Sequence, residues 1–199
     1  MKTFLSIALA IILLASVQSC SDNGLAGSWL GAPTRINIGG TADTQVTPKL
    51  TFVPNEENDT EGDVTIASEI AVLDVLPSND SLVAPYEISL YGTSEIKGTY
   101  RMVDDDEIII SLDNSTLNVN ISSKDIRFNE SQFTQRLIPD EIQDQAPQIA
   151  RRYASRIQHT LGIEILQYSR LDDVKIDKDL LMCEINDRDV TFRSLTPRE

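Results

Sequence analysis

The chain has 199 residues, 41% of them hydrophobic and 24% charged, enough for one domain whose core needs no disulfide or metal. Its formal net charge of −14 repels phosphate backbones, and no basic run interleaved with aromatics offsets it, which excludes nucleic acid as a partner. Two cysteines, Cys20 and Cys183, are too few for a secreted disulfide scaffold, and Cys183 in the apolar run LLMCEI reads as a buried, inert thiol.

The first element is a leader. Met1-Lys2 gives a short positive start, and Phe4 to Ala15 is almost continuously apolar. That run is shorter than the roughly 20 residues a membrane span needs, and it fits the apolar region of a secretory signal. Val17-Gln18-Ser19-Cys20 then resembles a bacterial lipobox. The resemblance implies a signal peptide over residues 1–19, cleavage before Cys20, a diacylglyceryl thioether on its sulfur and acylation, with palmitate or a similar chain, of the new amino terminus. The physical logic is that one buried chain holds only marginally, at about 0.8 kcal/mol per methylene, whereas several give a stable membrane anchor. Ser21, standing where an Asp would signal inner-membrane retention, implies by the same resemblance the outer membrane of the cell envelope. The competing reading is an ordinary signal cleaved after Ser19. Residues 20–26, small, polar and glycine-containing, read as a lipidated tether, and residues 27–199 as the folded domain.

From Gly27 the signals are β. SWLG and TRINI are short strand candidates, and TPKLTFVP is a strand bounded by Pro48 and Pro54. DVTIASEIAVLDVL places Val64, Ile66, Ile70 and Val72 on one face at period two, interrupted by Ser68, and reads as one long strand with room for a bulge. YEISLYG puts Tyr86, Ile88 and Leu90 on one face, and EIKGTYRMV repeats the pattern with Ile96 and Tyr100. DDDE is a polar turn into IIISL, DNS a second turn into TLNVNIS, and SKDIRF closes the series. Short strands with Asp, Asn and Gly turns every 8–12 residues predict an antiparallel barrel or sandwich.

The period changes near residue 140. Asp140 suits a first-turn cap and Pro147 the first position of a second helix. Ile149, Tyr153, Ile157 and Leu161 recur every four residues beside Ala150 and Ala154, and Gly162 suits the stop. One amphipathic helix over about 140–161 therefore packs on the sheet. IEILQYS, DVKI, LLMCEI and VTFRSL return to strand.

Motifs for chemistry are sparse. His159, the single histidine, falls on the polar helix face with Arg151, Arg152 and Ser155, and no G-x-S-x-G elbow accompanies it. One histidine and one spare cysteine cannot build a zinc site. ENDTEGDVTIAS matches half of an EF-hand loop, but its twelfth position is Ser68 rather than a bidentate Glu, so it reads as an acidic turn. No cofactor, metal or catalytic set is expected, and the chain is read as a non-enzyme.

Gly27-Ser28-Trp29 opens the first strand of an up-and-down series that ends with a late helix. G-x-W with this strand order resembles the lipocalin-like (calycin-like) domains of bacterial lipoproteins of the Bacteroidetes type. The resemblance implies a mainly β, antiparallel up-and-down barrel, with an Arg near the last strand packed over the tryptophan. Arg193 in VTFR is that candidate, and a Trp29–Arg193 cation–π contact would close one barrel end. Asp80-Ser81-Leu82 resembles a Bacteroidetes O-glycosylation site, with Ser81 as acceptor.

Two functions stay open. In one, the lipid-anchored barrel holds a small apolar or amphipathic ligand, with Tyr86 and Tyr100 lining the pocket. In the other, the barrel is filled, and its surface binds another envelope protein or a glycan. A carboxylate hydrolase ranks behind both. A pocket of several hundred Å³ would favour the first, and a packed interior the second.

Overall fold

The computed structural model describes residues 24–76, 86–129 and 143–196. Period-two patterning dominates them. β3 (Asp43–Pro54) buries every second residue from Thr44 to Phe52, and β4 (Glu61–Leu76) does so from Gly62 to Val72. With β1 (Gly27–Leu30), β2 (Thr34–Ile36), β5 (Tyr86–Asp104), β6 (Glu107–Ile121), β7 (Arg127–Asn129), β8 (Arg170–Asp177), β9 (Leu180–Glu184) and β10 (Asp189–Ser194), they form one antiparallel sheet. Taking β1, β3, β4, β5, β6, β8, β9 and β10 in turn, each strand pairs with the next, and β10 pairs back on β1. The ring of hydrogen bonds is therefore closed and up-and-down. One α-helix, α1 (Ala146–Glu164), lies among the described residues, and none there is long and apolar enough to cross a membrane.

The four longest strands run through two cores. Inside the ring, Trp29, Leu50, Phe52, Ile66, Ile96, Ile108, Leu171, Leu181 and Phe192 pack together. Further along β3–β6 the same inward face meets α1, where Ile70, Val72, Ile88, Leu90, Val119 and Ile121 pack against Ile149, Tyr153, Ile157 and Leu161. Between the cores the inward positions are Pro48, Ser68 and Ser94, which pair across β3, β4 and β5. Ser68 thus marks the junction between a closed barrel and a helix-filled half. The strand through it is regular, its partners running without a register shift from Leu76 to Glu61.

Five expectations are corrected. Pro48 lies inside β3 rather than bounding it. β1 and β2 pair with different stretches of β3, at 49–52 and 44–46, so the missing N–H of Pro48 falls where its neighbour strand is broken. DNS is a bulge, not a turn. β6 continues through it while Asp113 accepts from Ser115 N–H and Oγ–H, and Thr116 Oγ1 accepts the Lys97 N–H at 2.9 Å. Gly162 does not stop the helix, which runs on to Glu164. IEILQYS is not a strand: residues 165–169 form a 3-10 turn, because Ile165 continues the four-residue spacing of the buried stripe and enters the barrel core. The tether is shorter than expected, since Leu25 is buried in that core. The helix start near Asp140 lies outside the described residues.

A polar staple fixes α1 to the sheet. Asp74 on β4 accepts from Tyr153 Oη–H, from Thr41 Oγ1–H at 2.5 Å and from Val75 N–H at 2.8 Å. Arg156 donates to the carbonyls of Ile38 and Gly39 and lies 5.3 Å from the Tyr153 ring centre. Burial opposes the Asp74 carboxylate, but these donors and Arg156 outweigh it and hold its pKa below the ordinary 3.8. Burial first, then the bond to Asp74, pushes the Tyr153 phenol up. Tyr153→Phe should cost about 1–2 kcal/mol in urea unfolding, the lower part of the range for a bond to a charged group because Asp74 is partly solvated. A group with a lowered native pKa stabilises above its unfolded value and stops doing so as pH falls through its native one. The gap between wild type and Tyr153→Phe should therefore narrow below about pH 4; a gap that widens on acidification would contradict the assignment.

Candidate functional site

The residues singled out from the sequence do not converge. Cys20 and Ser81 lie outside the described residues. Tyr86 opens β5 opposite Leu76, and its side chain is outside the described set. Tyr100 is only 2% exposed and packs edge-on against Phe52, ring centres 5.2 Å apart at 87°. Its hydroxyl reaches the Asp59 carbonyl at 3.5 Å, and burial, then Asp59, pushes its pKa up to about 12. Its ring packs in the barrel core, and the concavity of about 400 Å³ that Tyr100 borders is lined mainly by outward residues of β4–β6, among them Glu61, Asp63, Thr99, Arg101 and Ser111.

Trp29 is fully buried, in one cross-strand row with Leu50, Ile66 and Ile96, and its Nε1–H donates to the Leu25 carbonyl at 2.8 Å. Arg193 is exposed and pairs opposite Leu30. Adjacent positions on a strand face opposite sides of the sheet. Trp29 and Arg193 therefore point to opposite faces, and the strand directs Phe192, not Arg193, inward. The expected cation–π pair is corrected on that ground.

His159 is exposed on α1, away from the buried stripe. Cys183 is buried, which lifts its thiol pKa to about 12 and keeps it protonated. Glu61 and Asp63 of the EF-hand-like run belong to β4 and pair with β5. Among the described residues no group of three or more His, Cys, Asp or Glu is placed to hold a metal.

The barrel interior is filled by side chains, as eight strands allow. Near the junction, a gap of about 30 Å³ opens between Ser68, Leu161 and Ile165, space for a water molecule but not for an organic ligand.

A larger concavity lies on the outside of the same junction. It measures about 590 Å³, within the range of roughly 300–1,000 Å³ typical of ligand sites. Two cross-strand rows make its floor. Thr47, Glu69, Thr93 and Asn120 are register partners across β3, β4, β5 and β6. Lys49, Ala67, Glu95 and Asn118 form the next row, two residues further along each strand, and Leu30 on β1 continues it. Leu30 and Leu195 wall one side. Small Ala67 leaves the depression between Lys49 and Glu95. Lys97 pairs with Glu95 at 3.6 Å, while no side-chain hydrogen bond among the described residues engages Thr47, Glu69, Thr93, Asn118 or Asn120. Sequence reading missed this surface. The outward phase of each strand was legible, but the order that sets β3, β4, β5 and β6 side by side in this register was not.

No family model, curated protein or solved structure matches the chain.

Proposed function

We propose that the chain is a lipid-anchored envelope protein with a lipocalin-like barrel, held at the outer membrane through acylated Cys20, and that it works as an accessory binding protein through its outer surface. The observation that carries the choice between the two functions is the packed interior. Tyr100 and Phe52 occupy the space a small apolar ligand would need, and the junction gap is about 30 Å³. Exchanging a bound ligand for those side chains would require opening a close-packed core. The lipobox supports the anchor, and the buried Leu25 sets the fold to begin only a few residues after Cys20. The domain would thus stand close to the membrane. In this reading the protein carries out no catalysis: His159 is exposed on α1, the Cys183 thiol is buried, and among the described residues no side-chain hydrogen bond joins either to a nucleophile or base.

Two measurements test this. Expressed in a bacterium fed tritiated palmitate, the full chain should carry the label and enter the detergent phase on Triton X-114 partitioning. Cys20→Ala should lose the label and stay in the aqueous phase. An unlabelled wild type would remove the anchor. Native mass spectrometry of the purified lipoprotein should show the acylated chain alone. A co-purified apolar molecule that protects the core from unfolding would restore the carrier reading.

A further inference from the structure

We propose that the outer concavity over β3–β6 is a binding site for a neutral oligosaccharide. This rests on the surface-binding reading above and names its ligand class. The floor presents two amides, two hydroxyls and two carboxylates in two adjacent rows, all outward and exposed or half-exposed. Strands are about 4.8 Å apart and same-face residues about 6.8 Å apart along a strand, so the rows span roughly 14 by 7 Å. Arranged this way, the amides can both donate to and accept from sugar hydroxyls, and the carboxylates can accept from them. One step further along β5, Tyr91 stands on the same face, paired with Ala71 and 56% exposed. A flat aromatic next to hydrogen-bonding groups suits a sugar ring, whose C–H face is apolar and whose edge carries hydroxyls.

The other occupants fit less well. β4 and β5, which carry the middle of the floor, are paired on both sides, so a peptide laid across them finds no free backbone group, while β6 at Asn118 and Asn120 pairs with β5 alone, β8 joining it only at Ile108 and Ile109. The large apolar side chains lining the concavity itself are Leu30 and Leu195 on one wall, with Tyr91 one step beyond the floor. Lys49 and the Lys97 that pairs with Glu95 balance Glu69 and Glu95, so the floor adds no positive excess to a chain of −14. A phosphate, a uronate or an anionic lipid headgroup is repelled.

The test uses the full, detergent-purified chain and fluorescently labelled neutral oligosaccharides of four to six sugars (malto-, cello-, manno- and N-acetylchito-series), with oligogalacturonate as the anionic comparison. At least one neutral series should bind saturably, and oligogalacturonate should not. Thr93→Ala/Asn120→Ala should weaken that binding about tenfold or more, and Tyr91→Ala similarly. Asp63→Ala, on the same strand face but away from the floor, should leave it unchanged, and all variants should melt within a few degrees of wild type. Binding to none of the neutral series, binding only of oligogalacturonate, or neutral binding indifferent to the floor variants would each overturn the proposal. None of these results changes the palmitate label or the native mass, on which the broader reading stands or falls separately.

Discussion

Trp29→Ala is expected to be among the most damaging substitutions in this chain, lowering stability by about 3–5 kcal/mol and the melting temperature by roughly 6–20 °C for a domain of this size. The indole is fully buried between Leu50 and the last strand, and its N–H holds the Leu25 carbonyl. β1 is four residues long yet pairs with both β3 and β10, so it is the strand that closes the ring. Emptying the Trp29 site opens a cavity at that seam. Arg193→Ala should change stability by less than about 0.5 kcal/mol, as exposed positions without special contacts do. Thermal denaturation followed by circular dichroism separates the two accounts. If Arg193→Ala were as harmful as Trp29→Ala, the side-chain placement given above would be wrong.

That contrast also shows what the sequence could reveal. Gly27-Ser28-Trp29 marked the start of the barrel, and period-two patterning marked β4 and the outward and inward faces of β3 and β5. The Trp–Arg pair came from resemblance, and strand alternation rules it out once the register is known: Phe192 faces inward, so Arg193 cannot. β6 shows a different limit. Its inward residues are Ile108, Ile110 and Leu112, then Leu117, Val119 and Ile121, a switch from even to odd. A hairpin and a bulge explain that switch equally well from sequence. The structure resolves it through the side chains of Asp113 and Thr116, which take up local N–H groups and let one strand continue. IEILQYS failed for another reason. Its β-branched residues favour a strand, but Ile165 is four residues beyond Leu161 and finds its core by continuing the helical turn, so tertiary packing overrides local preference.

The candidate site was the least legible part. Thr47, Glu69, Thr93 and Asn120 sit in four separate segments, each in an outward phase that reads as ordinary solvated surface. Only the pairing order makes them one row. Whether the barrel holds a pocket or is filled stayed open because composition gives the types of core residue without their packing; Tyr100 was placed on the inward face, but nothing in one strand shows that Phe52 from β3 packs against it.

Two glycine-to-alanine changes should have opposite signs, and the pair tests the geometry of barrel closure. Gly98 lies on the inward face of β5, where β5 bends against β6. A Cβ there would run into the Ser111 carbonyl oxygen and lie 2.9 Å from the Leu112 Cα. Both are backbone, and their strand is fixed by the pairs on either side, Lys97 with Asp113 and Thr99 with Ser111. Neither can yield without breaking register, so Gly98→Ala should cost about 3 kcal/mol, the upper part of the range for overpacking. Gly162 lies within α1, and the nearest atom a Cβ would meet is Leu117 Cδ2 at 3.7 Å, an ordinary contact. Alanine there gains roughly 0.5–1 kcal/mol from helix propensity and from a less free unfolded chain. Urea midpoints should thus move down for Gly98→Ala and up for Gly162→Ala with little change in slope. The sign at residue 162 distinguishes a glycine inside the helix from one that ends it, since a left-handed C-terminal glycine would be damaged by the same change. The sign at residue 98 tests whether β5 and β6 approach closely enough at that point to need a residue without a side chain, which is how a sheet of regular strands can curl far enough for β10 to meet β1.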